Sequence, residues 1–253
     1  MPNKRSLVFV SRSLQIVEAD WLAPSNVVAF TTTRHGGFSQ PPFDSFNLAQ
    51  HVDDQPSVVA RNRQVLVSQF DLPSEPVWLE QVHSTKVLEI DSGLARLQPA
   101  DGLITASPKV VCAVMTADCM PLFLSDRAGS KVAVVHAGWR GMADGIIEKA
   151  VGLFNQPPEQ IIAWAGPTIG PKHFEIGPEV KEQLMGPEEA YVASSNNGKL
   201  LADLYLLAGQ RLAGLGVHNY THCAYCSYTD EQLFYSYRRS KAAGRMASII
   251  YFT

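Results

Sequence analysis

Short apolar segments rich in β-branched residues recur along the chain, separated by turn residues or helical patterns. Each spans five to eight residues, which suits a strand and is too short for an independent helix. The predicted strands cover residues 26–33, 77–82, 86–90, 110–116, 121–125, 131–136, 161–167 and 246–252. Turn residues at 126–130 join two of these segments, which predicts a β-hairpin.

Helical patterns lie between the strand-like segments. One begins at Pro56, which suits a first helical turn, and ends near Asp71. A second follows His136, with apolar residues at helical spacing over residues 146–154, and a third ends at Gly216. Strands and helices therefore mix throughout, which predicts an α/β or α+β fold with a mixed sheet.

Length and charge narrow the classes of function. The 253 residues carry 21 Lys and Arg against 24 Asp and Glu, a formal net charge of -3. This balance excludes the pervasive basic surface of a sequence-independent nucleic-acid binder. No repeat or Gly/Ser linker divides the chain, so we predict a single domain over residues 1–253.

Neither a secretory signal nor a membrane span is predicted. The apolar residues 7–10 fall short of a signal-peptide core of about 7 to 15 residues. The longest unbroken apolar stretch, residues 110–115, is far below the roughly 20 residues that span a bilayer. We therefore expect a cytoplasmic protein whose four cysteines serve reactivity or metal binding rather than disulfides.

Three residues able to bind a soft divalent metal lie at the ends of predicted strands. They are His83 in WLEQVHS, Cys119 in MTADCMPL and His136 in VVHAGWRG. Two imidazoles and one thiolate suit a catalytic zinc site, because three protein ligands leave the fourth position open to water or substrate. Spacings of 36 and 17 residues do not force the three together, and a histidine on a strand is often a structural residue.

Charged residues accompany two of these candidates. Asp118 precedes Cys119 after an apolar strand, where a carboxylate needs a partner or solvent. Arg140 follows His136 in a glycine-bearing turn from strand to helix, whose backbone N–H groups and guanidinium suit a phosphate. The alternative is that Arg140 is a solvated turn residue.

A series of motifs makes the chain similar to a known family. In order along residues 31–252 it contains TTTRHGGFS, PFDSFNLAQHV, WLEQVHS, ADGLIT, ADCMPL, VVHAGWRGMADGI, AWAGPTIG, HFEIG and FYSYRRSKAAGRMASII. These resemble the bacterial YfiH family, also called the laccase-domain or polyphenol oxidase family, whose members are similar to the human laccase-domain protein FAMIN. The resemblance implies a single α/β domain with layered mixed sheets flanked by helices, related to toxin-type cysteine hydrolases.

The resemblance also implies a metal and a reaction. The family's ligands fall on His83, Cys119 and His136, and the implied metal is zinc, with copper as the alternative. Members look like purine nucleoside phosphorylases, which convert adenosine, inosine, guanosine and methylthioadenosine to free base and sugar 1-phosphate and also deaminate adenosine. The implied partners are a purine nucleoside and phosphate, without nucleic acid or membrane.

These reactions suggest roles for further residues. Phosphorolysis needs cations for phosphate and a hydrogen bond to the departing purine, whereas deamination needs a carboxylate beside an activated water. Amide side chains could hold ribose hydroxyls or the base edge, with loop capping as the alternative. The candidate cations are Arg34, Arg61 and Arg140, the candidate carboxylates Asp118 and Glu175, and the candidate amides Asn47 and Gln81.

Three other functions stay open. A metal-free Cys–His hydrolase would use His83 or His136 to deprotonate Cys119 and would edit cytoplasmic peptidoglycan precursors, as the family's name of peptidoglycan editing factor suggests. Copper-dependent phenol oxidation is the family's older label, but a multicopper centre would consume more imidazoles than seven scattered histidines provide. A nucleotide-binding protein without turnover would leave the cysteine and both histidines incidental.

Two positions depart from the family pattern. Relatives usually carry one cysteine ahead of FYSYRR, matched here by Cys226, which leaves Cys223 extra. The two form a lone CxxC, for which packing is the alternative to metal binding because no second pair stands at matching spacing. The segment HVDD, which begins at His51, stands where relatives commonly carry a glycine before the acidic pair. Tyr237 and Arg238 match family positions without an assigned contact.

Overall fold

The structure is a computed structural model that describes residues 7–9, 14–92 and 97–253. Its strands are β1 (Leu7–Phe9), β2 (Gln15–Glu18), β3 (Val27–Thr32), β4 (Val87–Glu89), β5 (Gly102–Thr105), β6 (Cys112–Thr116), β7 (Met120–Asp126), β8 (Val132–Ala137), β9 (Ile161–Ala165), β10 (Glu175–Ile176), β11 (Tyr191–Ala193), β12 (Leu200–Ala202), β13 (Asn219–His222) and β14 (Met246–Phe252). Its α-helices are α1 (Pro56–Gln69), α2 (Trp139–Ala143), α3 (Ile146–Gly152), α4 (Pro178–Leu184) and α5 (Leu204–Gly214). Within the described ranges, none of the helices has the length and apolar character needed to cross a membrane.

Three sheets organise these strands. A five-stranded antiparallel sheet has the order β1-β2-β3-β14-β6. A six-stranded sheet has the order β13-β9-β7-β8-β5-β4 and is mixed, because β13 with β9 and β4 with β5 run parallel. A three-stranded antiparallel sheet has the order β10-β12-β11. The predicted class of a mixed α/β fold with layered sheets is confirmed.

The two large sheets share a core, and helices contact both of them. Ala113 of β6 joins a smaller core with Phe30 of β3 and Leu66 of α1, whereas its neighbour Val114 belongs to the larger core of the six-stranded sheet. Helices α2 and α3 contact β8, and α5 contacts β13. Because β6 and β8 are buried on both faces, they appear in the sequence as continuous apolar runs rather than as alternating patterns.

Most of the predicted elements are confirmed. Strands β7 and β8 form the expected antiparallel hairpin, and α1 begins at Pro56. Helix α5 begins after Asp203, whose carboxylate accepts from two peptide N–H groups of the first turn. The prediction that no signal peptide is present concerns residues 4–12, of which only 7–9 are described, and the single-domain extent over residues 1–253 stays a prediction.

Two predicted elements differ from the structure. Residues 77–82 make isolated bridges instead of a strand. The reason is that the side-chain amide of Gln81 makes hydrogen bonds to both the N–H and the C=O of Met115, at 2.7 and 2.8 Å. A side chain there takes the place of the backbone hydrogen bonds that a neighbouring strand would make. The helix predicted after His136 is divided into α2 and α3, because Gly145 between them adopts a left-handed φ of +95°.

Candidate functional site

The three predicted metal ligands come together at one end of the six-stranded sheet. His136 lies near the end of β8, Cys119 in the turn between β6 and β7, and His83 in the loop before β4. Their ligand atoms lie within 4.8 Å of one another, with 4.0 Å between Cys119 Sγ and His83 Nε2. Among the described residues, this is the one group of three or more such side chains close enough to share a metal ion.

The carboxylate of Asp101 fixes both histidines. Asp101 is fully buried immediately before β5, and its Oδ1 lies 2.9 Å from Nδ1 of His136 on the neighbouring strand β8. The same carboxylate accepts from the peptide N–H groups of residues 82–84, at 2.6 to 3.2 Å, and from the hydroxyl of Ser84. These bonds support the left-handed φ of +59° at His83. Because the Asp101 carboxylate is hydrogen-bonded to Nδ1 of His136, Nε2 is the ring nitrogen that remains to bind a metal ion. A carboxylate on the second ring nitrogen is common where a histidine binds a metal.

Asp118 anchors the turn that presents Cys119. Its carboxylate accepts from the hydroxyl of Ser227 and from the peptide N–H of Arg238, both at 2.6 Å, and its C=O accepts from the hydroxyl of Thr168. These bonds hold Asp118 at a φ of +91°, which an L residue adopts only with such support. The turn carrying Cys119 is therefore tied to two other loops of the site.

The donors and their surroundings fit a zinc-sized ion. A Cβ at Gly138 would lie 3.0 Å from Cys119 Sγ and 3.3 Å from Cδ2 of His83, so the glycine leaves the cluster room. Tetrahedral zinc, with bonds of about 2.0 to 2.3 Å, places its ligand atoms roughly 3.5 Å apart, so the cluster needs only a small contraction. Thiolate and imidazole are donors for zinc and also for copper.

Proximity couples the acid–base chemistry of Cys119 and His136. Burial alone would raise the pKa of the Cys119 thiol, but attraction and hydrogen bonding to His136 and His83 outweigh burial and lower the pKa to about 6. Burial would lower the pKa of His136, but the charge of Cys119 and the hydrogen bond to Asp101 raise it to about 9. In the metal-free protein the two residues therefore form a thiolate–imidazolium pair near neutral pH.

Iodoacetamide should consequently alkylate Cys119 faster than the buried Cys112 and Cys223 in chelator-treated protein. We expect a rate that is nearly constant from pH 9 to pH 7 and that falls about tenfold per pH unit below pH 6, because the thiolate is then protonated. Cys112 and Cys223 are internal controls, since both are buried and burial raises the pKa of each thiol. Peptide mapping by mass spectrometry measures all three. A labelling midpoint of Cys119 near pH 9 would contradict the lowered pKa.

The cluster opens into a cavity of about 580 Å³. This volume lies within the range of small-molecule sites. The aromatic residues that line it are Trp139, Phe174 and Tyr237. The charged residues that line it are Asp118, Arg140, Arg238, Lys241 and Arg245. Flat aromatic faces and an excess of cations suit a ligand that combines an aromatic base with an anionic group.

Three of the predicted contact residues line this cavity. Gln81 does so, but its amide is occupied by the backbone of Met115. Arg140 is exposed and stacks on the ring of Trp139 at 4.3 Å. Asp118 also lines the cavity, with both carboxylate oxygens engaged as described above. Their roles in binding or proton transfer stay predictions.

The other two predicted cations lie outside the cavity lining. Arg34 donates to the carboxylate of Asp44 at 3.1 Å and also to backbone carbonyls. Arg61 stacks on the ring of Phe38 at 3.4 Å. Both side chains belong to interactions around the loop that follows β3, a stretch in which sequence alone does not show the direction of a side chain.

The remaining predicted amide and carboxylate also have partners outside the cavity lining. Asn47 is fully buried. Its amide NH₂ donates hydrogen bonds to the C=O of Ala49 and the carboxylate of Asp54, and its Oδ1 accepts from the peptide N–H groups of Ala49 and Arg245. The Glu175 carboxylate accepts from Ser194 and from a nearby amide. These hydrogen bonds lower the pKa of Glu175, so it stays ionised. The loop-capping alternative therefore describes the contacts of Asn47.

Several residues of the site are not predicted from the sequence. They are His51, Asp101, Trp139, Lys241 and Arg245. Asp101 stands in ADGLIT and Arg245 in AAGRMASII, both within motifs of the family resemblance. No spacing pattern connects either of them with the metal ligands, because strand pairing between distant segments brings them together.

The fold and the cluster together define a mixed α/β protein with a candidate metal centre of two histidines and one cysteine. A family model described as multi-copper polyphenol oxidoreductase laccase matches residues 28–253. The chain therefore belongs to this family, which includes the YfiH proteins, and the resemblance found in the sequence is confirmed.

Named relatives and a solved structure agree with this assignment. A Shigella flexneri protein named purine nucleoside phosphorylase YfiH is 47% identical over 94% of this chain and 98% of its own length. A Haemophilus influenzae protein named purine nucleoside phosphorylase is 44% identical over 94% of this chain and 100% of its own. The crystal structure of a Neisseria meningitidis protein superposes on this chain with a TM-score of 0.89. The two sequences are 41% identical, and the match covers 94% of this chain and 98% of the Neisseria chain.

Proposed function

We propose that this protein is a zinc-dependent purine nucleoside phosphorylase. Its substrates would be phosphate and adenosine, inosine, guanosine or methylthioadenosine, and its products a free base and a sugar 1-phosphate. The observation that carries the proposal is the 44–47% identity, across nearly the whole chain, to relatives named purine nucleoside phosphorylase. The His83, Cys119 and His136 cluster beside a cavity suited to a base and an anion supports it.

His83, Cys119 and His136 would hold the zinc ion, with Asp101 behind the histidines. Zinc, when bound, supplies Lewis-acid polarisation and a water of lowered pKa. Copper is the alternative ion for the same donors. One cluster of three ligands among the described residues suits a single ion rather than a multicopper set.

Phosphorolysis requires positioning more than covalent chemistry from the protein. A phosphate oxygen forms a bond to C1′ of the ribose while the C1′–N9 bond breaks, and the purine keeps that electron pair and takes up a proton. The faces of Trp139, Phe174 and Tyr237 would stack the base, and the cavity's cations would hold the phosphate dianion in place for attack.

Adenosine deamination is included in the proposal as a second reaction. It replaces the 6-amino group with oxygen from water and releases ammonia, and it needs a group that moves a proton. Among the described residues that line the cavity, Asp118 is the one carboxylate, and both its oxygens accept hydrogen bonds in this structure. Glu175 is the other candidate, although its carboxylate is bonded to Ser194 in this structure.

Base release should depend strictly on phosphate. We expect purified protein to convert inosine or adenosine to free base and an equal amount of ribose 1-phosphate when phosphate is present, and to release no base without it. Liquid chromatography measures both products, and an ammonia assay on adenosine tests deamination. Zinc should be near one per chain by elemental analysis and should be lost, together with turnover, in His83→Ala. Release of base without phosphate would contradict phosphorolysis.

A metal-free Cys–His hydrolase is the second candidate. The contact of Cys119 with His136 and the hydrogen bond between His136 and Asp101 favour this function. Together the three side chains supply a nucleophile, a base and a carboxylate that orients the base. Such an enzyme would cleave an amide of a peptidoglycan precursor with chelator present. Hydrolysis that survives chelation and stops on alkylation of Cys119 would support this function against phosphorolysis.

A further inference from the structure

Arg245 presents a fixed guanidinium to the cavity. Its peptide N–H donates to Oδ1 of Asn47 at 3.0 Å, and its Nη1 donates to the carbonyl groups of residues 243 and 244. Within the described part of the chain, the hydrogen bonds of Arg245 use its peptide N–H and Nη1, and no protein atom accepts from its Nε or Nη2. These two nitrogens share one edge of the guanidinium, the edge that binds two oxygens of a phosphate side by side.

Thr116 adds a buried hydroxyl to the lining of the same cavity. It is the last residue of β6, and it pairs in register with Met246, the residue that follows Arg245. Its side chain is 1% exposed and lines the cavity, and its Oγ1 has no hydrogen-bond partner within the described part of the chain. A buried hydroxyl without a hydrogen-bond partner destabilises the folded protein. Because Thr116 lies at the cavity wall, we infer that a bound ligand supplies the missing hydrogen bond.

The other cations of the cavity are engaged or exposed. Both terminal nitrogens of Arg238 donate to backbone carbonyls of the segment before α4. Arg140 is exposed and stacked on an indole ring, and Lys241 is exposed over the ring of Tyr237 at 4.2 Å. Arg245 is partly buried, its guanidinium carbon lies 5.8 Å from the centre of the Tyr237 ring, and it is within electrostatic range of Cys119 and of the Asp118 carboxylate. It therefore combines a free edge, a fixed position and proximity to the metal ligands.

We propose that the Nε–Nη2 edge of Arg245 and the hydroxyl of Thr116 bind the inorganic phosphate that attacks the nucleoside. This inference rests on the proposed phosphorolysis and names the residues that bind its anionic co-substrate. Asn47 then acts as a positioning residue, because its buried side chain holds the backbone of Arg245 rather than the ribose.

Thr116→Val is the sharpest test, since it removes one hydroxyl and keeps the shape of the side chain. We expect the KM for phosphate to rise about 3- to 10-fold, the KM for inosine to stay within about twofold, and the Tm to be unchanged or higher because no protein hydrogen bond is lost. An increase in the KM for inosine with an unchanged KM for phosphate would overturn the assignment.

Arg245→Ala should raise the KM for phosphate about 100-fold, and Arg245→Lys about 10-fold, because lysine keeps the charge but not the two-pronged edge. The lysine variant also covers the case in which the alanine variant does not fold. Arg127→Ala is the matched control, as Arg127 is an exposed arginine in the turn at the opposite end of β7. Arg245 variants with the KM values of this control would overturn the proposal.

Titration of the zinc-loaded protein with inorganic phosphate alone, by calorimetry, separates this inference from the proposed function. We expect binding that weakens at least about 10-fold in Arg245→Ala. If the wild type binds phosphate through Arg245 but phosphorolyses no nucleoside, the proposed function fails and the phosphate site stands. If phosphorolysis occurs and phosphate binding is lost on zinc removal but equal in Arg245→Ala, the site assignment fails and the function stands.

Discussion

Cys119→Ser is expected to remove zinc and to lower phosphorolysis at least about 100-fold. Loss of a group behind a metal ligand already costs about 10- to 100-fold in metal affinity or activity, and loss of the thiolate ligand itself costs more. Elemental analysis and initial rates with inosine and phosphate measure the two effects. The described residues contain no second group of three potential ligands, so they offer the zinc ion no alternative site.

Cys226→Ser is the matched control for this variant. Cys226 is also a partly exposed free cysteine, but it lies outside the cavity lining and its Sγ accepts from the N–H of Gly170 at 3.1 Å, which a serine hydroxyl can also do. It should keep zinc and full activity. Nucleoside binding by Cys119→Ser, with turnover lost, would argue against a binding protein without catalysis. Full turnover in Cys119→Ser would contradict the proposed metal site.

Asp101→Asn should have the second largest effect. Its carboxylate receives hydrogen bonds from His136, from Ser84 and from the N–H groups of residues 82–84, and an amide would turn an NH₂ group toward some of these donors. We expect a loss of about 2 to 3 kcal/mol in the free energy of unfolding. Zinc affinity should fall about 10- to 100-fold. Urea unfolding of the metal-free protein and competition with a chelator measure these quantities.

Asp126→Asn separates general destabilisation from positioning of the metal ligands. Asp126 is also fully buried, and its carboxylate accepts hydrogen bonds from Ser130, Lys131 and Gln156, but it is the last residue of β7, at the opposite end of that strand from Cys119. We expect a comparable loss of stability with zinc affinity unchanged. Equal loss of zinc affinity in both variants would show that Asp101 has no special role in the site.

Much of the fold is predictable from the sequence because it depends on local patterns. The hairpin of β7 and β8 follows from two apolar runs around a short turn, and α5 follows from an apolar stripe between Asp203 and Gly216. The segment 77–82 is a wrong prediction for a tertiary reason. Its composition suits a strand, but the side chain of Gln81, rather than the backbone of the segment, makes the hydrogen bonds to Met115 of β6.

The sequence alone identified the three candidate metal ligands and their places near strand ends, and its motifs identified the family. The tertiary structure decided which residues support and surround them. Strand pairing sets Asp101 beside His136 and Thr116 beside the residue after Arg245, while it leaves Arg34 and Arg61 outside the cavity. The physical reason is that a side chain's chemistry is local, whereas its neighbours depend on pairing between segments far apart in the chain.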